Sequence, residues 1–230
     1  MKMKHILKFT FSLVVLFSMV GNAQDTIQKF PQRYGLRIGV DLHRLSKSFY
    51  DDDYKGLEIV GDYRLTRKFY AAGEIGNEEK TVDDDRFNFT TKGTYFKVGF
   101  NYNAFENWLD MENMIYAGMR VGVSSFSHTL NNYTIYDPTN YYGENIVTSG
   151  EKFEGLNAAW LEVVGGLKAE LFNNVYLGVS VRLNYLLSNK EPENFGNLFI
   201  PGFNRTYDGK FGAGFNYTLS YFIPIYKKNK

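Results

Sequence analysis

The sequence predicts an all-β protein, an eight-stranded antiparallel up-and-down transmembrane β-barrel spanning residues 34–226. Three observations predict it. Apolar residues recur at every second position through eight segments after residue 33, the spacing that puts alternate side chains on opposite faces of a strand. The chain opens like an exported protein. The polar face of the eight segments is built from glycines and isolated charges, not from the crowded Lys and Glu of a water-facing surface.

The export signal occupies residues 1–23. Lys2, Lys4 and Lys8 precede an apolar run at residues 9–20, and Gly21 and Ala23 stand at the −3 and −1 positions of a cut between Ala23 and Gln24. The run is too short for a membrane-spanning helix, which needs roughly 20 apolar residues. Residues 24–33 then form a periplasmic N-terminal segment. The chain has no cysteine, which excludes both lipoprotein attachment and disulfides. Cleavage takes three lysines and no acid from 26 basic and 25 acidic residues, leaving a formal charge of −2. That balance is no footprint for nucleic acid. The mean hydropathy is −0.33 although aromatic residues make up 17% of the chain. A chain polar on average yet rich in Tyr, Phe and Gly suits strands.

The segments alternate as follows. The first sets Leu36, Ile38, Val40 and Leu42 against Arg37, Gly39, Asp41 and His43. The second sets Leu57, Ile59 and Tyr63 against Glu58, Asp62 and Arg64, and the third sets Phe69 and Ile75 against Glu74 and Gly76. In the fourth, Phe96, Val98 and Phe100 oppose Lys97 and Gly99. In the fifth, Met119, Val121 and Val123 oppose Gly118, Arg120 and Gly122. The sixth has Leu161, Val163 and Leu167 against Glu162, Gly166, Lys168 and Glu170. The seventh has Val179, Val181 and Leu183 against Gly178, Ser180 and Arg182. The eighth has Phe211, Phe215 and Leu219 against Gly212, Gly214 and Ser220. Most segments are close to the ~9–11 residues of a tilted membrane strand. All five prolines fall outside them or beyond their ends, where a missing N–H is tolerated.

Connection lengths alternate. Residues 66–68 and 172–174 are tight turns, and residues 103–113 form a compact link. Longer polar loops are expected at about residues 44–55, 77–92, 127–156 and 187–209. Short turns on one rim and long loops on the other are the layout of an outer-membrane barrel, with both termini in the periplasm. A soluble barrel shares the period, so the polar face decides. Glycine weakens a solvent-facing strand but makes room in a narrow interior for long charged side chains. Tyr63, Phe69, Tyr102, Tyr185, Phe211 and Tyr221 suit interfacial aromatic belts.

The inward parity supplies six basic residues, Arg37, Arg64, Lys97, Arg120, Lys168 and Arg182. It supplies six acidic ones, Asp41, Glu58, Asp62, Glu74, Glu162 and Glu170. Charges enclosed together must pair to offset desolvation, so these twelve are expected to form a network that closes the lumen.

The segments at residues 34–41, 53–65 and 200–208 (YGLRIGVD, DYKGLEIVGDYRL and IPGFNRTYD) together resemble an uncharacterised family of outer-membrane barrels from Bacteroidota, catalogued as a domain of unknown function. The likeness covers nearly all of the mature chain. It implies the fold and the location and carries no activity.

Candidate chemistry is sparse. His43 with Ser46 or Ser48 and Asp51, and Ser127 with His128, are the nearest sets to a His-assisted nucleophile. The His-x-Ser spacing of lipid A deacylases is absent at both, and ordinary loop roles are favoured. Asp51–Asp53, Asp83–Asp85, Glu78 and Glu79 offer carboxylates without the twelve-residue calcium-loop spacing. Solvated loops account for them. Tyr133, Tyr136, Tyr141 and Tyr142 crowd the longest loop, for packing or for contact with sugars or proteins. The reading is a non-enzymatic outer-membrane barrel with a structural or surface-binding role. No catalytic residue, metal or cofactor is expected. Its partners are membrane lipid and lipopolysaccharide, the barrel assembly machinery during biogenesis, and a surface ligand that the sequence does not specify. The alternatives are a narrow channel for small solutes and a lipid-modifying enzyme.

Overall fold

The computed structural model describes residues 31–84, 86–105, 112–135, 145–192, 196–197, 199–204 and 210–228. The expected export signal lies outside them. Eight strands form one closed antiparallel ring, each bonded to its chain neighbours, with β1 closing on β8. They are β1 (Gln32–Asp41), β2 (Tyr54–Arg64), β3 (Phe69–Asp84), β4 (Phe87–Asn103), β5 (Met114–Ile135), β6 (Asn145–Phe172), β7 (Val175–Asn189) and β8 (Phe211–Lys228). One helix, α1 (Leu42–Tyr50), follows β1. The first strand starts two residues earlier than the alternation suggested, because Gln32 and Arg33 find backbone partners in Lys228 and Lys227.

The period-two pattern becomes a two-faced wall. Val98 and Val179 are each 51% exposed, while their neighbours Lys97 and Ser180 are 0% and 5% exposed. Apolar side chains therefore point out of the barrel and charged ones point in, the reverse of a soluble protein. Phe69 and Tyr102 meet across β3 and β4 with ring centres 5.3 Å apart. Tyr185 and Phe211 do the same across β7 and β8 at 5.1 Å.

The two tight turns form as expected. Thr66 Oγ1 accepts a hydrogen bond from the Phe69 amide at 3.0 Å and fixes the β2–β3 turn. Asn174 adopts φ 65° in the β6–β7 turn, a conformation that Asn tolerates better than most residues.

The long loops are mostly not loops. Residues 44–50 belong to α1. Residues 77–84 and 87–92 continue β3 and β4, with Thr81 opposite Thr90 and Val82 opposite Phe89. Residues 127–135 and 145–156 continue β5 and β6, which pair as far as Ile135 and Asn145. Tyr133 is thus a strand residue, while Tyr136, Tyr141, Tyr142 and Asp85 lie outside the described residues. The physical reason is that lipid contacts only part of each strand. Strand β6 has 28 residues against the ~9–11 that cross a bilayer. Beyond the lipid the outward face of a strand no longer has to be apolar, so the alternation fades while backbone pairing continues.

A charge forced onto the apolar face at mid-membrane costs ~2–4 kcal/mol. Val98→Arg and Val179→Arg are therefore expected to lose the folded, heat-modifiable band in outer-membrane fractions, whereas Val98→Leu and Val179→Leu keep it. Equal yields from the Arg and Leu variants would contradict a lipid-facing exterior.

Candidate functional site

The lumen is where this sequence concentrates its chemistry. Arg182 on β7 reaches Glu74 on β3, with Nη1 2.5 Å from Oε2. These strands stand on opposite sides of an eight-strand ring. Lys168 on β6 pairs in the same way with Asp62 on β2, again across the ring. Asp62 also receives Arg37 at 3.3 Å.

Around the first crossing lies a dense cluster. Lys97 sits 3.1 Å from Glu162 and 3.5 Å from both Glu58 and Glu74. Arg182 also meets Glu162 at 3.2 Å. Arg120 approaches Glu74 at 3.5 Å and donates to the Phe100 carbonyl and to Asn101 Oδ1. Neutral donors satisfy the carboxylates further. Tyr95 Oη donates to Glu58 at 2.6 Å, and Trp160 Nε1 donates to Glu162 at 2.9 Å. Burying a carboxylate is tolerable only when its oxygens are occupied in this way.

The site contains charges that the alternation did not assign to it. Asp41 ends β1 and caps α1, its Oδ1 accepting from the His43 amide at 2.8 Å. The helix turns Arg44 inward, where it is 4% exposed. Arg44 lies 3.2 Å from Glu58 and 3.5 Å from Asp41, and it pairs with Glu78. Tyr54 Oη also donates to Glu78. Arg44 and Glu78 sat in stretches read as polar outer loops. Glu78 keeps the inward parity of Glu74 and Gly76, so its strand position was a usable signal; Arg44 had none.

Arg64 and Glu170 are not part of the central cluster. They lie at the short-turn rim in a separate group organised by Arg33 and Glu112. Arg64 meets Glu112 at 3.4 Å and donates to the Arg33 carbonyl at 2.9 Å. Arg33 meets Glu112 at 3.4 Å and Glu170 at 3.5 Å. Exchanging Arg64 and Glu170 for Arg44 and Glu78 leaves the inner lumen balanced. Its carboxylates are Asp41, Glu58, Asp62, Glu74, Glu78 and Glu162. Its cations are Arg37, Arg44, Lys97, Arg120, Lys168 and Arg182.

The loop rim is capped by apolar residues. Residues 200–204 make a tight turn in which the Phe203 and Asn204 amides bond back to the Ile200 carbonyl. Ile200 and Phe203 are fully buried among Tyr95, Phe126, Leu156, Trp160 and Leu186. Phe203 stands edge-on to Trp160 at 5.8 Å. The Gly202 amide donates to Glu78 Oε2 at 2.6 Å, tying the cap to the charge cluster. Gly202 has φ +84°, and a Cβ there would fall 2.5 Å from the Tyr95 ring. A Cβ at Gly122 would fall 2.3 Å from the Trp160 ring.

Neither candidate catalytic set assembles. Ser46 Oγ bonds to the His43 carbonyl and to Tyr217 Oη, and Ser48 Oγ accepts from the Gly56 amide at 2.8 Å. The helix breaks the strand parity, so the His43 ring packs on Phe215 at 4.5 Å instead of facing the lumen. Asp51 is engaged by Lys80 at 3.1 Å. His128 is fully buried, with Thr91 Oγ1 2.6 Å from Nδ1 and Asn197 Oδ1 2.8 Å from Nε2. Ser127 occupies the opposite parity and takes no part in this chain of bonds.

A family model described as a domain of unknown function, DUF6048, matches residues 3–228. The chain belongs to the DUF6048 family. No curated protein matches the sequence. Among solved structures, Neisserial surface protein A is similar over 85% of the DUF6048 chain and 100% of its own, at 11% identity and a TM-score of 0.45. Ail, the attachment invasion locus protein of Yersinia pestis, is similar over 84% of the DUF6048 chain and 99% of its own. That match has 9% identity and a TM-score of 0.41.

Removing one member of a buried pair costs ~3–5 kcal/mol because the other charge stays behind. Arg182→Ala and Glu162→Ala in the DUF6048 barrel are expected to lower the urea midpoint of the folded band in detergent far below wild type. Lys152→Ala, which breaks a pair on the exposed surface, leaves it in place. Midpoints that do not distinguish the inner from the outer variants would contradict a structural role for the cluster.

Proposed function

We propose that this protein is an outer-membrane barrel, exported through a cleaved signal, whose lumen is closed by its charge network and whose role is structural or surface-binding. The observation that carries the reading is the pair of ion bridges joining opposite walls, Arg182 to Glu74 and Lys168 to Asp62. An eight-strand interior is about as wide as the side chains that fill it. Bridges at two levels leave no straight path for a hydrated solute. The cap formed by Ile200 and Phe203 closes the lumen again at the loop rim.

In this reading the short turns face the periplasm and the extended hairpins β3–β4 and β5–β6 stand outside the cell. The apolar exterior contacts membrane lipid and lipopolysaccharide, and the assembly machinery inserts the barrel. In this reading the protein is not an enzyme: Ser46 and Ser48 tie α1 to Tyr217 and Gly56, and His128 is enclosed between Thr91 and Asn197. Surface binding falls to the protruding hairpins, which are longer than membrane crossing requires.

The purified protein in a planar bilayer is expected to give no steady ion conductance across physiological voltages. Stable open steps from the wild type would reject the closed lumen and leave the small-solute channel as the better account.

A further inference from the structure

Four strands extend beyond the rest of the ring at the loop rim and form one raised sheet. Strands β3 and β4 pair as far as Asp84 and Phe87, β4 pairs on to Tyr133 of β5, and β5 pairs with β6 as far as Ile135 and Asn145. Their outer neighbours stop lower down. Strand β2 begins at Tyr54 opposite Lys80, and β7 ends at Asn189 opposite Ala158. Among the described residues the raised sheet therefore has two free edges.

The two edges differ. On β3 the free stretch is Val82, Asp83 and Asp84, since the Thr81 amide still bonds to the Asp53 carbonyl. It is short and acidic, and both properties keep other strands away from a sheet. On β6 the free stretch runs over residues 145–156. Its lower half is blunted too. Gly150 and Gly155 have φ of +67° and +69° and fall where the β5–β6 register shifts, and Glu151, Lys152 and Glu154 are exposed. The upper half lacks such protection. Residues 145–149 hold no charge, no proline and no glycine, and Ile146, Val147 and Thr148 stay in unbroken register with Thr134, Tyr133 and Asn132. Every second residue of such a stretch turns its N–H and C=O away from β5. A regular, uncharged edge of β-branched residues is a template for another strand.

We propose that the β6 edge at residues 145–149 binds an extended segment of another polypeptide by adding it as an antiparallel fifth strand of the raised sheet. Main-chain hydrogen bonds hold a strand added in this way, and alternate side chains select it. A second copy in the same membrane runs its β6 in the same direction, so the two edges could meet only in parallel, the less stable pairing. A segment of a different polypeptide is free to run antiparallel. Its chemistry follows from the edge: β-branched residues, no proline, and a basic residue near its N-terminal end. That end of an antiparallel strand reaches Glu151. Lys152 is engaged by Glu154 at 2.5 Å, which leaves the Glu151 carboxylate without an ion-pair partner among the described residues.

The inference deepens the surface-binding reading of the hairpins and rests on it. The test is fluorescence anisotropy of a dye-labelled synthetic peptide, an arginine followed by a short run of alternating threonine and valine. It is added to the full chain in lipid nanodiscs, which leave both membrane faces open, and heat-modifiable gel migration checks folding. Folded wild type is expected to bind one peptide saturably, with slowed hydrogen exchange at the amides of residues 146–149. The same peptide methylated at alternate backbone nitrogens, which cannot complete the ladder, is expected not to bind. Glu151→Lys is expected to bind the arginine peptide about fivefold more weakly, the scale of one exposed ion pair. A glutamate in place of the arginine restores binding to that variant. No saturable binding by folded wild type would overturn the inference, as would equal binding of the methylated peptide or slowed exchange confined to other residues. Wild-type nanodiscs that pair face to face without peptide would assign the edge to a second copy in an opposing membrane and overturn it too. Peptide that binds nanodiscs but not intact cells supports the edge and counts instead against the outward-facing reading of the hairpins.

Discussion

The structure depends on pairing charges inside a ring too narrow to hydrate them. Unpaired, a buried carboxylate or ammonium costs several kcal/mol, and among the described residues the inner lumen holds six of each sign. The ring resolves this by facing opposite charges across its own diameter. Arg182 needs Glu74 from the opposite wall, and Lys168 needs Asp62, so each pair is satisfied only when the ring is closed. The network is therefore coupled to closure, since an open sheet would leave these groups apart. Lys97 extends the coupling by meeting carboxylates from β2, β3 and β6 at one point.

The loop rim uses the same logic with different materials. Asp41 serves twice, as the cap of α1 and as a partner for Arg44. The helix in turn delivers Arg44 to Glu58 and Glu78, and Glu78 holds the Gly202 amide of the cap. Charge cluster, helix and apolar cap thus form one connected unit. Once β1 gives way to α1 at Asp41, the neighbouring edge of β8 loses its strand partner.

The membrane-embedded part of this fold was legible because lipid imposes a strict rule on every second residue. Val98 and Lys97, or Val179 and Ser180, could be assigned to their faces from spacing alone. Arg64 and Glu170 have the right parity but sit at the turn rim, where Arg33 and Glu112 engage them, and parity carries no information about depth. Beyond the lipid the rule lapses. Residues 77–92 read as a polar loop because acidic residues interrupt the apolar alternation there, although Thr81 and Thr90 bond across a regular ladder and Val82 and Phe89 pack together. Arg44 was invisible because a helix interrupts the two-residue period. The cap was hidden for the opposite reason. Ile200 and Phe203 are apolar residues in a polar stretch, and only the Pro201-Gly202 turn hints that the chain doubles back.

The central claim is that the lumen charges act as one mutually dependent set. A double-mutant cycle between Lys97 and Glu162 tests it most directly, using Lys97→Met and Glu162→Gln singly and together, with urea unfolding of the barrel in detergent. Groups in direct contact within a network couple by ~0.5–3 kcal/mol, whereas independent sites add to within about 0.5 kcal/mol. The account predicts that the double variant is more stable than the sum of the two single losses allows, by at least ~1 kcal/mol. Simple additivity would show that these charges share the lumen without depending on one another, and would contradict the account.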